Sequence, residues 1–271
     1  MSEDRVSDTW EQGSPYESYI GRWSRGIAPL FLAWLDQPQH KRWLDVGCGT
    51  GALCAAILDR AAPSHLVGVE PSVGFLGMAA SNLGHRVQWL AASAAAIALD
   101  SGSCDVVVSG LVLNFIPDLP AALSEMRRVC TPGGTIAAYV WDYADGMEII
   151  RRFWEVAVSL DPAAARLDEG ARFPLCHPVA LRAAFERAGL ARVETTSLEL
   201  RAEFADFEQY WQPFLGGQGP APAYAMSLPE EQRAALRSRL KAALPAAAGG
   251  GIALRARAWA VRGVNRSGAS S

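Results

Sequence analysis

Leu44-Asp45-Val46-Gly47-Cys48-Gly49-Thr50-Gly51 carries the strongest structural signal in this chain. An apolar run ends in three alternate glycines, and a helix-forming segment follows. Nineteen residues after Gly51, the next apolar run, Val67-Gly68-Val69-Glu70-Pro71, stops at an acid. Strand, glycine turn, helix and a strand ending on a carboxylate make half of a nucleotide-binding α/β unit. Glycine tolerates φ values closed to other residues and lets the backbone approach a ligand closely. The Glu70 carboxylate can accept two hydrogen bonds from a ribose diol. The spacing is Gly-x-Gly-x-Gly and not the Gly-x-Gly-x-x-Gly of dinucleotide binders, which disfavours a pyrophosphate.

The alternation continues downstream. Strands are predicted at 43–46, 66–70, 87–90, 105–109 and 135–141, with helices at 52–61, 73–83 and 121–130. Strands separated by crossover helices imply an α/β fold with a mainly parallel, doubly wound sheet covered on both faces. Upstream, Ile20, Trp23, Ile27, Phe31, Trp34 and Leu35 follow helical spacing. Gly26 and Pro29 are expected to split that segment into two helices, because proline fits best at a helix start. After Trp141 the rhythm changes. A helical insertion is expected over 142–176, a helix over 178–188 stopped by Gly189, and a strand over 193–200. An aromatic-rich helical stretch over 204–250 is broken at Gly216-Gly217-Gln218-Gly219-Pro220, and a last strand covers 254–261. One domain over 16–263 results, with a helical cap (16–42), a core (43–141) and two helical lid insertions (142–176 and 204–250). Residues 1–15 are expected to be disordered and 264–271 to form a loose tail.

With 271 residues the chain can build one sizeable core with appendages. Its formal net charge of −3 lacks the basic excess of a constitutive nucleic-acid binder. The longest apolar candidate, Cys104 to Ile116, is interrupted by Asp105, Ser109 and Asn114, so no membrane span is expected. The polar start Met1-Ser2-Glu3-Asp4-Arg5 has no signal-peptide core, and a cytoplasmic location is expected. Cys48, Cys54, Cys104, Cys130 and Cys176 form no Cys-x-x-Cys pair. They read as small buried residues in a reducing compartment, with no metal site.

Five co-linear pieces then carry a resemblance. They are Leu-Asp-Val-Gly-Cys-Gly-Thr-Gly at 44–51, Val-Gly-Val-Glu-Pro-Ser at 67–72, Asp-Val-Val-Val-Ser at 105–109, Asn-Phe-Ile-Pro-Asp at 114–118 and Glu-Met-Arg-Arg-Val-Cys-Thr-Pro-Gly-Gly at 125–134. In order and spacing the chain resembles class I S-adenosylmethionine-dependent methyltransferases of the small-molecule type, over about 43–141. The resemblance implies a Rossmann-like seven-stranded sheet with an antiparallel last strand, S-adenosyl-L-methionine as cofactor and a small-molecule methyl acceptor. It implies that Gly47 and Gly49 lie against the methionine part, that Gly51 allows close packing, and that Asp45 braces the turn or the cofactor's amino end. Glu70 would hold the ribose hydroxyls, Pro71 would pack against adenine, and Gly110-Leu111 would offer backbone groups to the methionyl end.

One position departs from that pattern. The family usually places an Asp for the adenine amino group where Ser93 stands. The Ser93 hydroxyl or the backbone around Ala94 would have to take that bond, at a cost on the order of 1 kcal/mol. The run Tyr16…Tyr19-Ile20-Gly21-Arg22-Trp23-Ser24 resembles the family's cap helix. There Arg22 would pair with the methionine carboxylate, and Trp23 or Tyr19 would screen the sulfonium by cation–π attraction. Alternatively Trp23 only packs the helix onto the core.

Methyl transfer is a direct displacement, so the protein must hold the acceptor in line and exclude water. A general base is needed only where the acceptor must lose a proton. Candidates are Asp142 and Tyr143, just past the fifth strand, with His177 and Asn114; His177 reads more readily as a helix-start or surface residue. Tyr210, Trp211 and Phe214 either line an acceptor pocket or form a core stripe. Arg127-Arg128 reads as a solvated face. Asn114-Phe115-Ile116-Pro117 does not match the Asn/Asp-Pro-Pro-Tyr/Phe of nucleobase and glutamine amino methylation, and Cys130-Thr131-Pro132 lacks the Pro-Cys of cytosine-C5 enzymes. Two other readings stand beside the enzyme: a non-catalytic S-adenosylmethionine-binding protein, motivated by Ser93 and the want of an obvious base, and an NAD-type oxidoreductase, disfavoured by the glycine spacing. The acceptor atom (O, N or C) and the oligomeric state stay open at this level.

Overall fold

Seven strands make one sheet: β1 Arg42–Val46, β2 His65–Val69, β3 Gln88–Leu90, β4 Cys104–Gly110, β5 Cys130–Trp141, β6 Ala191–Phe204 and β7 Ile252–Val264. Their order across the sheet is β3-β2-β1-β4-β5-β7-β6. β1 pairs in parallel with β2 and β4, β2 with β3, and β4 with β5. β7 runs antiparallel between β5 and β6. This is a Rossmann-like doubly wound sheet with an antiparallel last strand. The computed structural model describes residues 21–217, 219–245 and 251–266. The expectations for residues 1–15, Tyr16, Tyr19, Ile20 and the tail past Arg266 lie outside the described residues.

The helices are α1 Arg22–Leu35, α2 Ala52–Arg60, α3 Val73–Leu83, α4 Leu119–Val129, α5 Glu148–Leu160, α6 Glu169–Arg172, α7 Pro178–Arg187, α8 Phe207–Trp211, α9 Pro220–Ser227 and α10 Glu230–Ala243. Side-chain caps fix several starts: Asp118 accepts the Ala121 N–H at 3.0 Å, and Asp206 accepts the Gln209 N–H at 2.8 Å. Gly189 ends α7 at φ +80°, with its N–H on the Glu186 carbonyl. At the amino ends of β1 and β4, Arg42 forks onto Asp105 at 2.7 and 3.1 Å, which fixes their register. Burial of Ile27, Phe31 and Leu35 against the sheet, at about 1.5–3 kcal/mol each, docks α1.

Three expectations are corrected. Gly26 and Pro29 do not split the first helical segment; α1 is continuous with Pro29 inside it. The cost of an interior proline, about 3 kcal/mol, is outweighed by the buried face. A Cβ on Gly26 would stand 3.0 Å from Leu200 Cδ2, so Gly26 is a contact point with β6. The tail does not loosen at 264, because β7 includes Val264 and Asn265 is buried. Its amide donates to the carbonyls of Arg127 (3.0 Å) and Cys130 (2.9 Å). Nor is Arg127-Arg128 a solvated face: Arg127 Nη1 donates to the Ala188 carbonyl at 2.7 Å, and Arg128 donates to Ile97 and Leu99 carbonyls at 2.8 Å each.

Among the described residues no helix is long and apolar enough to cross a membrane, and no group of three or more His, Cys, Asp or Glu is placed to hold a metal ion. All five cysteines are buried and free.

Candidate active site

The strand order reverses between β1 and β4, and in such sheets a crevice opens beyond the carboxyl ends at that point. Ser109 Oγ donates to the Val46 carbonyl at 2.8 Å across the seam. A cleft of ≈ 280 Å³ sits there. Its walls are supplied by the ends of five strands, by Ser24 of α1 and by Phe75 of α3. Of the residues expected from sequence, Asp45, Gly47, Gly49, Glu70, Pro71, Ser93, Ala94, Gly110, Leu111 and Tyr143 all line it.

The glycine turn is held by its own neighbours. Gly47 and Cys48 N–H groups donate to the Val69 carbonyl at 2.7 and 3.0 Å, and the Gly51 N–H donates to Cys48 at 2.9 Å. The Gly49 N–H goes to Glu70 Oε2 at 3.1 Å. These four amides are therefore committed to protein acceptors, whereas a phosphate cradle leaves such donors free for the ligand. A carboxylate beside the turn further opposes an anion. At Gly47, φ is +73° and a Cβ would lie 2.5 Å from Val112 Cγ1, so no side chain fits between the turn and the segment after β4. Gly51 does not line the cleft; a Cβ there would stand 3.1 Å from Leu83 Cδ1 and 3.3 Å from Ala79 Cβ of α3, so the glycine lets the turn pack closely on that helix.

Two acids face the cleft from buried positions. Asp45 Oδ2 accepts the Cys54 thiol at 3.2 Å, while Oδ1 is buried without a partner. Burial pushes the Asp45 carboxyl up to about 7, against the Cys54 bond and with help from the Glu70 charge. The thiol of Cys54 is held well above its usual range by its bond to Cys48, by burial and by Asp45. Glu70 Oε1 accepts the Ser72 N–H at 2.9 Å. Burial raises the Glu70 carboxyl, and its two backbone N–H bonds pull it back.

The loop after β3 is clamped from α4. Glu125 accepts the Ile97 N–H at 3.0 Å, and Arg128, paired to Glu125 at 2.7 Å, ties down the Ile97 and Leu99 carbonyls. This places Ser93 and Ala94 at the cleft wall. Ser93 Oγ accepts the Ala95 N–H at 3.2 Å, which leaves its own O–H to donate. On the other side, Leu111 takes φ +63°, rare for a branched side chain, and its N–H donates to the Tyr139 carbonyl at 2.7 Å.

Other sequence candidates fall elsewhere. Arg22 and Trp23 do not line the cleft: the Arg22 guanidinium lies 4.1 Å from the Trp23 ring centroid and 4.7 Å from that of Phe204. Asp142 is buried in an ion pair with Arg257 at 2.6 Å, a brace between β5 and β7. His177 is exposed and caps α7, its Nδ1 accepting the Val179 N–H at 3.4 Å. Asn114 does not line the cleft. Tyr210, Trp211 and Phe214 are core residues; Phe214 stacks on Phe153 with centroids 4.7 Å apart. Sequence reasoning missed Tyr139, Trp141 and Phe75. Tyr139, Trp141 and Tyr143 recur at every second position, a strand-face signal that would have found the first two.

Comparison with known proteins agrees with this geometry. A methyltransferase domain family matches residues 44–138. The chain is 30% identical over 195 residues to malonyl-[acyl-carrier protein] O-methyltransferase of Geobacter sulfurreducens, spanning 70% of this chain and 71% of that one. It is 33% identical over 117 residues to ubiquinone biosynthesis O-methyltransferase of Aromatoleum aromaticum, spanning 41% and 49%. In fold it is similar to phosphoethanolamine N-methyltransferase 2 of Haemonchus contortus, solved with phosphomonomethylethanolamine and S-adenosylhomocysteine (TM-score 0.57, 15% identity, 93% of this chain and 56% of that one). The chain belongs to the class I S-adenosylmethionine-dependent methyltransferases.

S-adenosylmethionine is the cofactor, and the residues present fit it. The orphaned Asp45 oxygen suits a cationic amino group, and the Glu70 carboxylate has lone pairs left for a diol. The committed amides of the turn rule against a pyrophosphate in the same place.

Proposed function

We propose that this methyltransferase acts on a small-molecule acceptor by direct in-line displacement. The observation that carries the reading is the cleft at the strand ends: its lining brings the acids Asp45 and Glu70 and the glycine turn together with the apolar segment after β4 and the aromatic end of β5. The cofactor, when bound, supplies a methyl group on a cationic sulfur. In this reading Asp45 holds its amino group, Glu70 its ribose hydroxyls, Pro71 and the Ser93-Ala94 wall its adenine, and the Gly110-Leu111 backbone its methionyl end. Leu111 and Tyr143 face the acceptor and keep water from it. With positioning supplied this way, the gain comes chiefly from orientation and desolvation.

The net charge of −3 supports a small acceptor over a nucleic acid. The test is calorimetric titration with S-adenosylhomocysteine, followed by a methyl-transfer assay across small acceptors and against RNA and DNA. Micromolar binding with turnover on a small molecule is the expected result. Turnover on nucleic acid alone, or binding with no turnover on any acceptor, would overturn it.

A further inference from the structure

The acceptor end of this cleft has a chemical character of its own, and the following rests on the methyltransferase reading above. Its lining includes Phe115, Ile116, Pro117, Tyr139, Trp141 and Tyr143. Phe173 packs edge-on against Phe115, with centroids 5.1 Å apart, and tilted against Tyr143, at 5.7 Å. Among the described residues, no lysine, arginine or histidine lines the cleft, and its charged lining residues are Asp45 of β1 and Glu70 just past β2. Arg172 stacks over the Phe173 ring at 5.2 Å but is not part of the lining.

Each class of acceptor meets this wall differently. A carboxylate or phosphate would lose its water with no lysine, arginine or histidine in the lining to replace it, at a cost well above tenfold in affinity. A protonated amine would face a cationic sulfur in a low-dielectric site and would need a base to become a nucleophile. Among the described residues, the cleft lining holds no imidazole, and its two carboxylates, Asp45 and Glu70, are the ones assigned above to the cofactor. A flat ring gains from the aromatic faces and edges.

We propose that the acceptor is a neutral, planar aromatic or conjugated molecule, methylated at a phenolic or enolic hydroxyl acidic enough to ionise without an enzyme base. The hydroxyl proton passes to water. The oxygen lone pair then forms the new O–C bond as the C–S bond breaks, and the bonding pair stays on sulfur as a neutral thioether.

The test is calorimetry on the full chain saturated with S-adenosylhomocysteine, titrated with 2-naphthol, 2-naphthoate and phosphoethanolamine. 2-Naphthol is expected to bind at least about tenfold more tightly than either anion-bearing probe. Phe115→Ala should weaken 2-naphthol by about tenfold and leave S-adenosylhomocysteine binding unchanged. Phe173→Ala, which removes the backing ring, serves as the second variant should Phe115→Ala fail to fold. Equal or tighter binding of 2-naphthoate or phosphoethanolamine overturns the proposal, as does absence of 2-naphthol binding at about 1 mM while S-adenosylhomocysteine still binds. Failure of S-adenosylhomocysteine itself to bind is a separate result that removes the cofactor reading and this proposal with it.

Discussion

Glu70 Oε2 accepts the Gly49 N–H at 3.1 Å, so the acid that ends β2 fixes the turn that ends β1. The same carboxylate anchors the start of α3 through the Ser72 N–H. One side chain thus sets the position of two backbone segments before any ligand arrives. Glu70→Ala is expected to raise the S-adenosylhomocysteine dissociation constant at least about tenfold, the scale of a lost charge-assisted pair of hydrogen bonds. Glu70→Gln should fall between the two, since its amide oxygen still accepts one N–H. Calorimetry reads both, and an unchanged constant in Glu70→Ala would remove Glu70 from the site.

Gly47→Ala places a methyl group 2.5 Å from Val112 Cγ1 at a φ of +73°. Left-handed strain and overpacking together should cost about 2–4 kcal/mol in urea unfolding. Adding Val112→Ala should remove the Cγ1 and Cγ2 contacts and leave the Cβ at 3.0 Å together with the backbone strain. If the double variant is no more stable than Gly47→Ala, Val112 is not what excludes the side chain.

Asp45 gives a pH signature. An unfolded Asp titrates near 3.9, whereas the buried folded carboxyl is pushed up to about 7. Between those values the folded state holds a proton the unfolded chain has released, so this group's contribution to stability falls as pH rises and levels off above about 7. Asp45→Asn should abolish that slope, and melting curves from about pH 4 to 8 test it. Cofactor binding follows the opposite sign, because a cationic amino group needs the ionised acid. S-Adenosylhomocysteine should bind about tenfold more tightly at pH 8 than at pH 6 to the native chain, with little change in Asp45→Asn.

Asp142 and His177 are expected to be structural. Asp142→Ala removes the buried carboxylate that meets Arg257 at 2.6 Å, leaving that guanidinium to Asp145 at 2.7 Å, and should cost about 1.5–3 kcal/mol of stability. His177→Ala removes a weak cap and should cost less than about 1 kcal/mol. Methyl transfer to 2-naphthol by the folded His177→Ala protein should stay within about twofold of the native rate. A loss of two orders of magnitude there would restore His177 as a base.

The core of the fold was legible because its signals are local. The glycine turn, the acid ending β2 and Gly189 after α7 are each specified by a few adjacent residues. What escaped depends on distant partners. Asp142 looked like a site residue because of its place past β5, yet its partner Arg257 lies 115 positions away. Arg128 looked solvated on its own helix, while its acceptors, Ile97 and Leu99, belong to an alanine-rich loop with no pattern to mark them. Propensity argues for a break at Pro29, and tertiary burial of α1 overrides it. For Tyr210, Trp211 and Phe214 helical spacing favours a core stripe over a pocket, and burial bears that out.

The position of β7 between β5 and β6 has an outcome during synthesis. β6 spans 14 residues, and the neighbour that pairs with it, β7, comes from the last part of the chain. Until that segment leaves the ribosome, one edge of β5 and the ladder of β6 stay bare, though the cofactor half is already complete in sequence. Nascent chains stalled before Ile252 should therefore be prone to aggregation and dependent on chaperones.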